Sequence, residues 1–175
     1  MTPEYPIYDR LLTLDEIEGR IESYYVPYHT ALAKHLSRLK IPEGRVLLID
    51  WHSMKSVGNA ATPDGEGSKR ADFVIGDNRG HSCDATLTAA VADFLVNKGY
   101  HAAINDPYAG GTLLQRYAQP SNGVHALQIE INRALYLDES SVTLLSGIEK
   151  LRADLAGLIP LFSAWVSEAM LSVKV

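Results

Sequence analysis

Residues 46–51 read VLLIDW, a continuous apolar run followed at once by His52. A short run of this kind, set off by the turn residues Pro42 and Gly44, predicts a strand buried on both faces, as in a parallel sheet. Behind it, residues 52–70 are rich in Gly, Ser, Asn, Pro and Asp. Loops of that length are uncommon in a compact domain and are usually functional or disordered. Ahead of it, Thr13 and Glu16 form a capping-box pattern that starts a helix through Ile17, Ile21 and Tyr24. Pro27 either kinks this helix or sits in the first turn of a second one, along which Tyr28, Leu32, Leu36 and Leu39 recur at helical spacing. The first dozen residues read as a loop or arm.

Downstream, Asp72 to Ile75 reads as a second strand. Asp84 is placed to cap a helix whose Leu87, Val91, Phe94 and Leu95 share a face, ending at Lys98-Gly99. His101 to Ile104 reads as a third strand, running into a loop from Asn105 to Gly111 and a short helix over Thr112 to Tyr117. In the fourth strand, His125 to Ile131, the residues Leu127, Ile129 and Ile131 alternate with Gln128, Glu130 and Asn132. A terminal helix carries Leu144, Ile148, Leu151, Leu155, Leu158, Phe162 and Val166, with an irregularity expected at Pro160. Strands alternating with helices predict one α/β domain over 1–175, with a mainly parallel central sheet flanked by helices. Sites on such sheets collect beyond the carboxyl ends of the strands, which singles out His52, Asn105 and Glu130 or Asn132.

The bulk numbers narrow the function. At 175 residues the chain has the length of one domain, and its 46% hydrophobic and 21% charged fractions are ordinary for a globular protein. A net charge of −5 and a pI near 5.6, with no basic stripe, argue against nucleic acid as a partner. No apolar stretch reaches the ~20 residues of a membrane span. The single cysteine, Cys83, forms no intrachain disulfide, which fits a reducing cytoplasm.

Three groups of residues could carry chemistry. Asp50 and His52 lie two apart and so point to one side of a strand. The carboxylate can accept a proton from one ring nitrogen and leave the other for a metal, or the pair can act as a general base. It can equally be a polar pair holding a loop. Glu130 stands in an otherwise apolar strand, where burial would raise its pKa and suit it to proton transfer. The regular alternation also permits that face to meet solvent. His81 and Asp84 could join His52 in a mixed site, although a loop histidine and a helix cap explain them as well. Cys83 would need a depressed pKa to act as a nucleophile, and a buried small residue is the simpler role. Arg79, Arg116 and Arg133 could bind carboxylates by bidentate contacts.

The runs YYVPYHTAL, LLIDWHSM, ADFVIGDNRGHSC, NDPYAGGTLLQRYAQP and HALQIEINRALYLDE, in this order up to Glu139, resemble the N-formylglutamate amidohydrolase family. Members of that family are similar in fold to zinc carboxypeptidases and aspartoacylases, so the resemblance implies a three-layer α/β domain with a metal site at the carboxyl edge of a mixed sheet. The resemblance implies hydrolysis of N-formyl-L-glutamate to formate and glutamate, in histidine breakdown, with Zn2+ as cofactor and a small acidic molecule as substrate. It implies that His52 is a zinc ligand with Asp50 behind it. Glu130 is then the carboxylate that activates water and protonates the leaving amine. Asn105 and Tyr108 of the NDPYAGG stretch, with Asn132 and Arg133, are expected near the substrate.

The sequence departs from the family pattern at its start. The family's early Pro-His-Ser-Gly-like segment, a source of metal ligands, has no counterpart here, and the chain contains no His-x-x-Glu pair. Catalytic zinc usually takes three protein ligands. The expectations are therefore a shortened chain, ligands recruited from His81 and Asp84, or a non-catalytic member binding a small acidic ligand or a partner chain. An early strand missing from the sheet would also leave an edge suited to a homo-oligomer.

Overall fold

The computed structural model describes residues 6–40, 42 and 44–171, so the first five residues of the expected arm lie outside the described residues. Its centre is a four-stranded sheet of β1 (Val46–Met54), β2 (Phe73–Gly76), β3 (Ala102–Ile104) and β4 (Val124–Asn132), in the order β1-β4-β2-β3. β1 runs parallel to β4, and β2 parallel to β3. β2 and β4 meet antiparallel, so the sheet is mixed. A two-stranded ribbon, β5 (Leu137–Asp138) and β6 (Thr143–Leu144), follows β4 and was not legible in the sequence.

The strand expected at the centre proves to be at the edge. Among the described residues β1 pairs with β4 alone, and Trp51 is 46% exposed. The strands buried on both faces are β2 and β4. An apolar run reports burial averaged over neighbours, while strand order depends on which distant segments pair. β1 also continues three residues past Trp51, which places His52 inside the strand.

One face of the sheet is apolar. Phe73, Ile75, Leu127 and Ile129, none with more than a trace of exposure, pack against Leu87, Val91 and Leu95 of α3 (Ala85–Asn97). Leu151 of α5 (Gly147–Ala156) and Leu158 and Trp165 of α6 (Leu158–Leu171) close the same core. The terminal helix is two helices, and Leu144 belongs to β6. The break falls at Gly157, where a Cβ would come within 2.7 Å of the Phe94 ring. Pro160 then lies in the first turn of α6, where its missing N–H costs nothing.

The other face is covered by α4 (Thr112–Tyr117), by the loop 105–111 and by the excursion between β1 and β2. α1 (Leu14–Arg20) opens on the expected capping box, Thr13 and Glu16 each accepting from the other's backbone N–H. It continues through a π-helical turn, Ile21–Tyr25, into α2 (Val26–Leu39), with Pro27 in the first turn of α2. The wide turn accommodates the proline, whose ring would otherwise strike the preceding carbonyl. α2 docks on α4 through His29, whose Nδ1 lies 2.6 Å from the Tyr117 hydroxyl.

Leu127 is fully buried at the centre of this core, so Leu127→Ala is expected to cost about 3 kcal/mol by the lost transfer energy and the cavity it leaves. Urea unfolding, with an unchanged slope and a lower midpoint, checks it.

Candidate functional site

The face of β4 opposite the core is polar yet buried: Gln128, Glu130 and Asn132 are all under 8% exposed. The reading in which this face meets solvent is therefore excluded. Each polar group has a partner, as burial requires. Gln128 donates from Nε2 to Glu130 Oε1 at 3.1 Å, and its Oε1 accepts from the Gly111 N–H at 3.0 Å. Asn132 donates to the Ala71 carbonyl and accepts from the Ala134 N–H, capping the short 3-10 turn Arg133–Leu135.

His52 lies directly across from Glu130 in the parallel pairing of β1 and β4. Its Nε2 is 3.1 Å from Asp50 Oδ1, the same-side contact that their spacing predicts. This leaves Nδ1 as the ring nitrogen turned to other uses. Burial pushes the Glu130 carboxyl above the usual carboxylate range; His52, Arg70 and Arg133 pull it back and Asp50 adds to the rise. Arg133 follows β4 and donates from Nε to Ser53 Oγ and from Nη2 to the Ser53 carbonyl. Tyr108 packs on Met54, Ala71 and Val74, with the Arg70 guanidinium 5.2 Å from its ring centre.

Arg70 was not singled out from the sequence. Its side chain is 3% exposed and meets the Asp64 carboxylate in a two-bond fork, at 2.8 and 2.9 Å. A third donor reaches the Lys55 carbonyl. The long Gly-rich segment is thus an ordered excursion closed around a buried ion pair. Backbone bonds between Gly58 and Ser68 and between Arg70 and Ser56 zip its two arms together, and Ser56 is tied to Glu139. The signal in the sequence was Arg70 standing immediately before an apolar strand, a place where a charge must be paired.

Asn105 lies apart from this group. The antiparallel step between β4 and β2 sends the carboxyl ends of β2 and β3 away from those of β1 and β4. Asn105 therefore leaves β3 at the other end, with a left-handed φ of 59°. Its Oδ1 accepts from the Asp77 and Arg79 N–H groups and its Nδ2 donates to Asp77 Oδ1. The expectation that one sheet edge gathers His52, Asn105 and Glu130 assumed parallel strands, and this is where it fails. Asn105 instead shapes the loop that crosses over Gly76, where a Cβ would come within 2.7 Å of the Ala109 backbone, and carries Tyr108 and Gly111 to the site.

His81 and Asp84 do not reach His52 either. Asp84 caps α3 by accepting from Thr86 N at 2.8 Å, and its own N–H meets His125 Nδ1. His125 precedes Glu130 by five strand residues, about 16 Å. Cys83 is buried and its thiol is pushed up to about 12, mainly by desolvation, which removes it as a nucleophile.

The class that the fold defines is a mixed α/β domain in which a buried carboxylate, an imidazole and two guanidinium groups gather at one end of the sheet. The particular family follows from comparison with known proteins. The N-formylglutamate amidohydrolase pattern matches residues 1–137, and the chain belongs to that family. It is 36% identical over 118 residues to an N-formylglutamate deformylase of Pseudomonas aeruginosa, a stretch covering 67% of this chain and 43% of that protein. A Pseudomonas putida protein of the same name is 31% identical over 127 residues, or 72% of this chain and 46% of the relative. The chain thus spans less than half the length of these curated relatives. The crystal structure of an N-formylglutamate amidohydrolase from Ralstonia eutropha JMP134 superposes with a TM-score of 0.78 at 36% identity, over 93% of this chain and 58% of that one. A gene product of Agrobacterium tumefaciens, 20% identical with a TM-score of 0.58, shares the fold.

The zinc implied by the family can be tested against the donors present. Among the described residues, no three His, Cys, Asp or Glu side chains converge as a metal cage. His52 is a single imidazole, half exposed, with one nitrogen already against Asp50. These residues do not complete a three-ligand catalytic zinc site. Among them, too, no helix is long and apolar enough to cross a membrane.

The buried fork makes a stability prediction. Removing the Asp64 charge strands Arg70, so Asp64→Asn is expected to cost about 3 kcal/mol. Arg70 holds the Asp64 carboxyl well below the usual carboxylate range. Its contribution is therefore complete above pH ~4 and is lost as the pH falls further, because the unfolded chain takes up the proton first. Chemical unfolding at a series of pH values should show an acid slope that is shallower in Asp64→Asn than in the parent.

Proposed function

We propose that this chain carries the carboxylate side of an amidohydrolase site acting on an N-acyl amino acid, with N-formyl-L-glutamate as substrate and formate and L-glutamate as products. The observation that supports it is Glu130, buried in β4 under the loop that brings Gly111, and flanked by His52, Arg70 and Arg133. A desolvated carboxylate is a stronger base than one in water. Glu130 takes a proton from the attacking water and returns it to the departing amine nitrogen, the same group acting as base and then as acid. Gln128 holds one carboxylate oxygen, which leaves the other to face the reacting atoms.

Substrate recognition follows from the same charges. N-formyl-L-glutamate is a dianion, and a guanidinium is the group best shaped to take a carboxylate. Arg133 is held by Ser53 through Nε and Nη2, with no protein hydrogen bond on Nη1 among the described residues. It is the arginine assigned to a substrate carboxylate, while Tyr108 forms a wall beside Arg70. Asn132 supports the turn that carries Arg133. Zinc would enter this reading only through His52, whose Nδ1 would supply one of the three protein ligands such a site usually takes, and the described residues do not supply the others. A small, doubly charged substrate and an acidic chain with a single cysteine fit a cytoplasmic enzyme.

A second reading is favoured by one observation, the lack of a three-ligand group among the described residues. In it the chain binds the acidic ligand without turnover. Formate release, followed in parallel with calorimetric binding of N-formyl-L-glutamate, separates the two. Catalysis predicts release that Glu130→Gln lowers by about 10²-fold or more with binding retained. Binding without formate release would leave the second reading; absence of both would sink the site assignment.

A further inference from the structure

Glu130 is oriented by an amide on its own face of β4. Gln128 stands two residues before it, buried on the same side, with both polar atoms of its side chain engaged. Its Oε1 accepts from the Gly111 N–H at 3.0 Å, and its Nε2 donates to Glu130 Oε1 at 3.1 Å. A backbone N–H is a donor only, so it fixes which end of the amide faces it. Turning the Gln128 amide over would set N–H against N–H at one end and carbonyl oxygen against carboxylate at the other. Buried polar groups left in that state are costly, and native structures avoid them.

The donor arrives by a path that two glycines clear. Gly76 is the residue beside Gln128 in the pairing of β2 and β4. A Cβ there would come within 2.7 to 2.9 Å of the Ala109 and Gly110 backbone, so the bare position lets the loop lie on the sheet next to Gln128. Gly110 then turns with a φ of 117°, and a Cβ on it would strike the buried Leu114 of α4. Gly111 follows as the residue that opens α4. The loop that delivers this N–H also carries Tyr108 to its place beside Arg70.

We propose that Gln128, locked by the Gly111 N–H, is the positioning residue of Glu130 and couples loop 105–111 to the proton transfer. The proposal rests on the amidohydrolase reading and says how that site keeps its base aligned. Glu130 Oε1 keeps an N–H donor throughout, so the mobile proton travels on Oε2. As the water oxygen bonds to the acyl carbon, its proton passes to Oε2. As the C–N bond breaks, that proton passes to the amine nitrogen. One oxygen serves both steps, and the carboxyl group does not have to rotate between them. Gln128 acts through Glu130 and not on the substrate.

Two measurements on the full chain test it. Selective isotope labelling of glutamine nitrogen gives three side-chain amides by NMR, from Gln115, Gln119 and Gln128, of which Gln128 alone is buried. One amide is expected to exchange with solvent at least ~10-fold more slowly than the other two, and to shift in Gly110→Ala, which displaces the loop and leaves the amide itself in place. In formate release, Gln128→Met is expected to lower kcat by about 10-fold or more with KM within about twofold, because it misaligns the base and leaves the substrate contacts intact. Should Gln128→Met lose its circular dichroism, Gln128→Asn, a polar amide too short to span both partners, serves in its place. Three amides that exchange alike, variants that turn over at the parent kcat, or a loss carried by KM alone would each overturn the proposal and leave the amidohydrolase reading standing. A parent chain that releases no formate would sink that reading and the proposal with it.

Discussion

A carboxylate can sit in a strand covered on both faces only if its whole polar row is partnered, and β4 is built around that requirement. Gln128, Glu130 and Asn132 are buried, and no buried side-chain polar atom among the described residues lacks a hydrogen bond. The partners come from far away in the chain. Gly111 arrives on the loop after β3, Ala71 precedes β2, and His52 stands on β1. An unpaired group here would cost about 1–3 kcal/mol. The same row that makes the face expensive to bury also desolvates Glu130, and so raises its carboxyl above the usual carboxylate range.

The second constraint is the Arg70–Asp64 fork. A guanidinium with almost no exposure has to be matched, and the match closes a segment that lacks regular secondary structure of its own. That closure sets Arg70 beside Tyr108 and within electrostatic reach of Glu130. Local order in the loop and charge at the site are therefore one interaction. The mixed sheet sends the loops leaving β1 and β4 to the site, while those leaving β2 and β3 start from the Asp77–Asn105 network at the other end, from which the loop after β3 brings Gly111 back to Gln128.

Much of this was legible in the sequence. The Thr13–Glu16 box, the Asp84 cap, the four main strands and the alternation of β4 are patterns within a few residues, and local patterns survive folding. The Asp50–His52 contact followed from spacing alone. Ordered motifs from YYVPYHTAL to HALQIEINRALYLDE carried the family, which comparison then bore out. What the residues could not disclose was anything that depends on a distant partner. β1 was read as central and is an edge, Asn105 was read toward Glu130 and faces Asp77, and Arg70 passed unnoticed because its partner lies across a turn-rich loop.

For this protein, sequence alone determined the four main strands, most of the helical segments and which face of β4 is polar, because periodicity of 2 and 3.6 is written into adjacent residues. Tertiary structure decided whether that polar face was wet or buried, since burial depends on what arrives over it. It also decided the direction in which β2 runs past β4, a choice made by non-local hydrogen bonding. Through that choice it settled that His52, Glu130, Arg70 and Arg133 share one end of the sheet and that Asn105 does not.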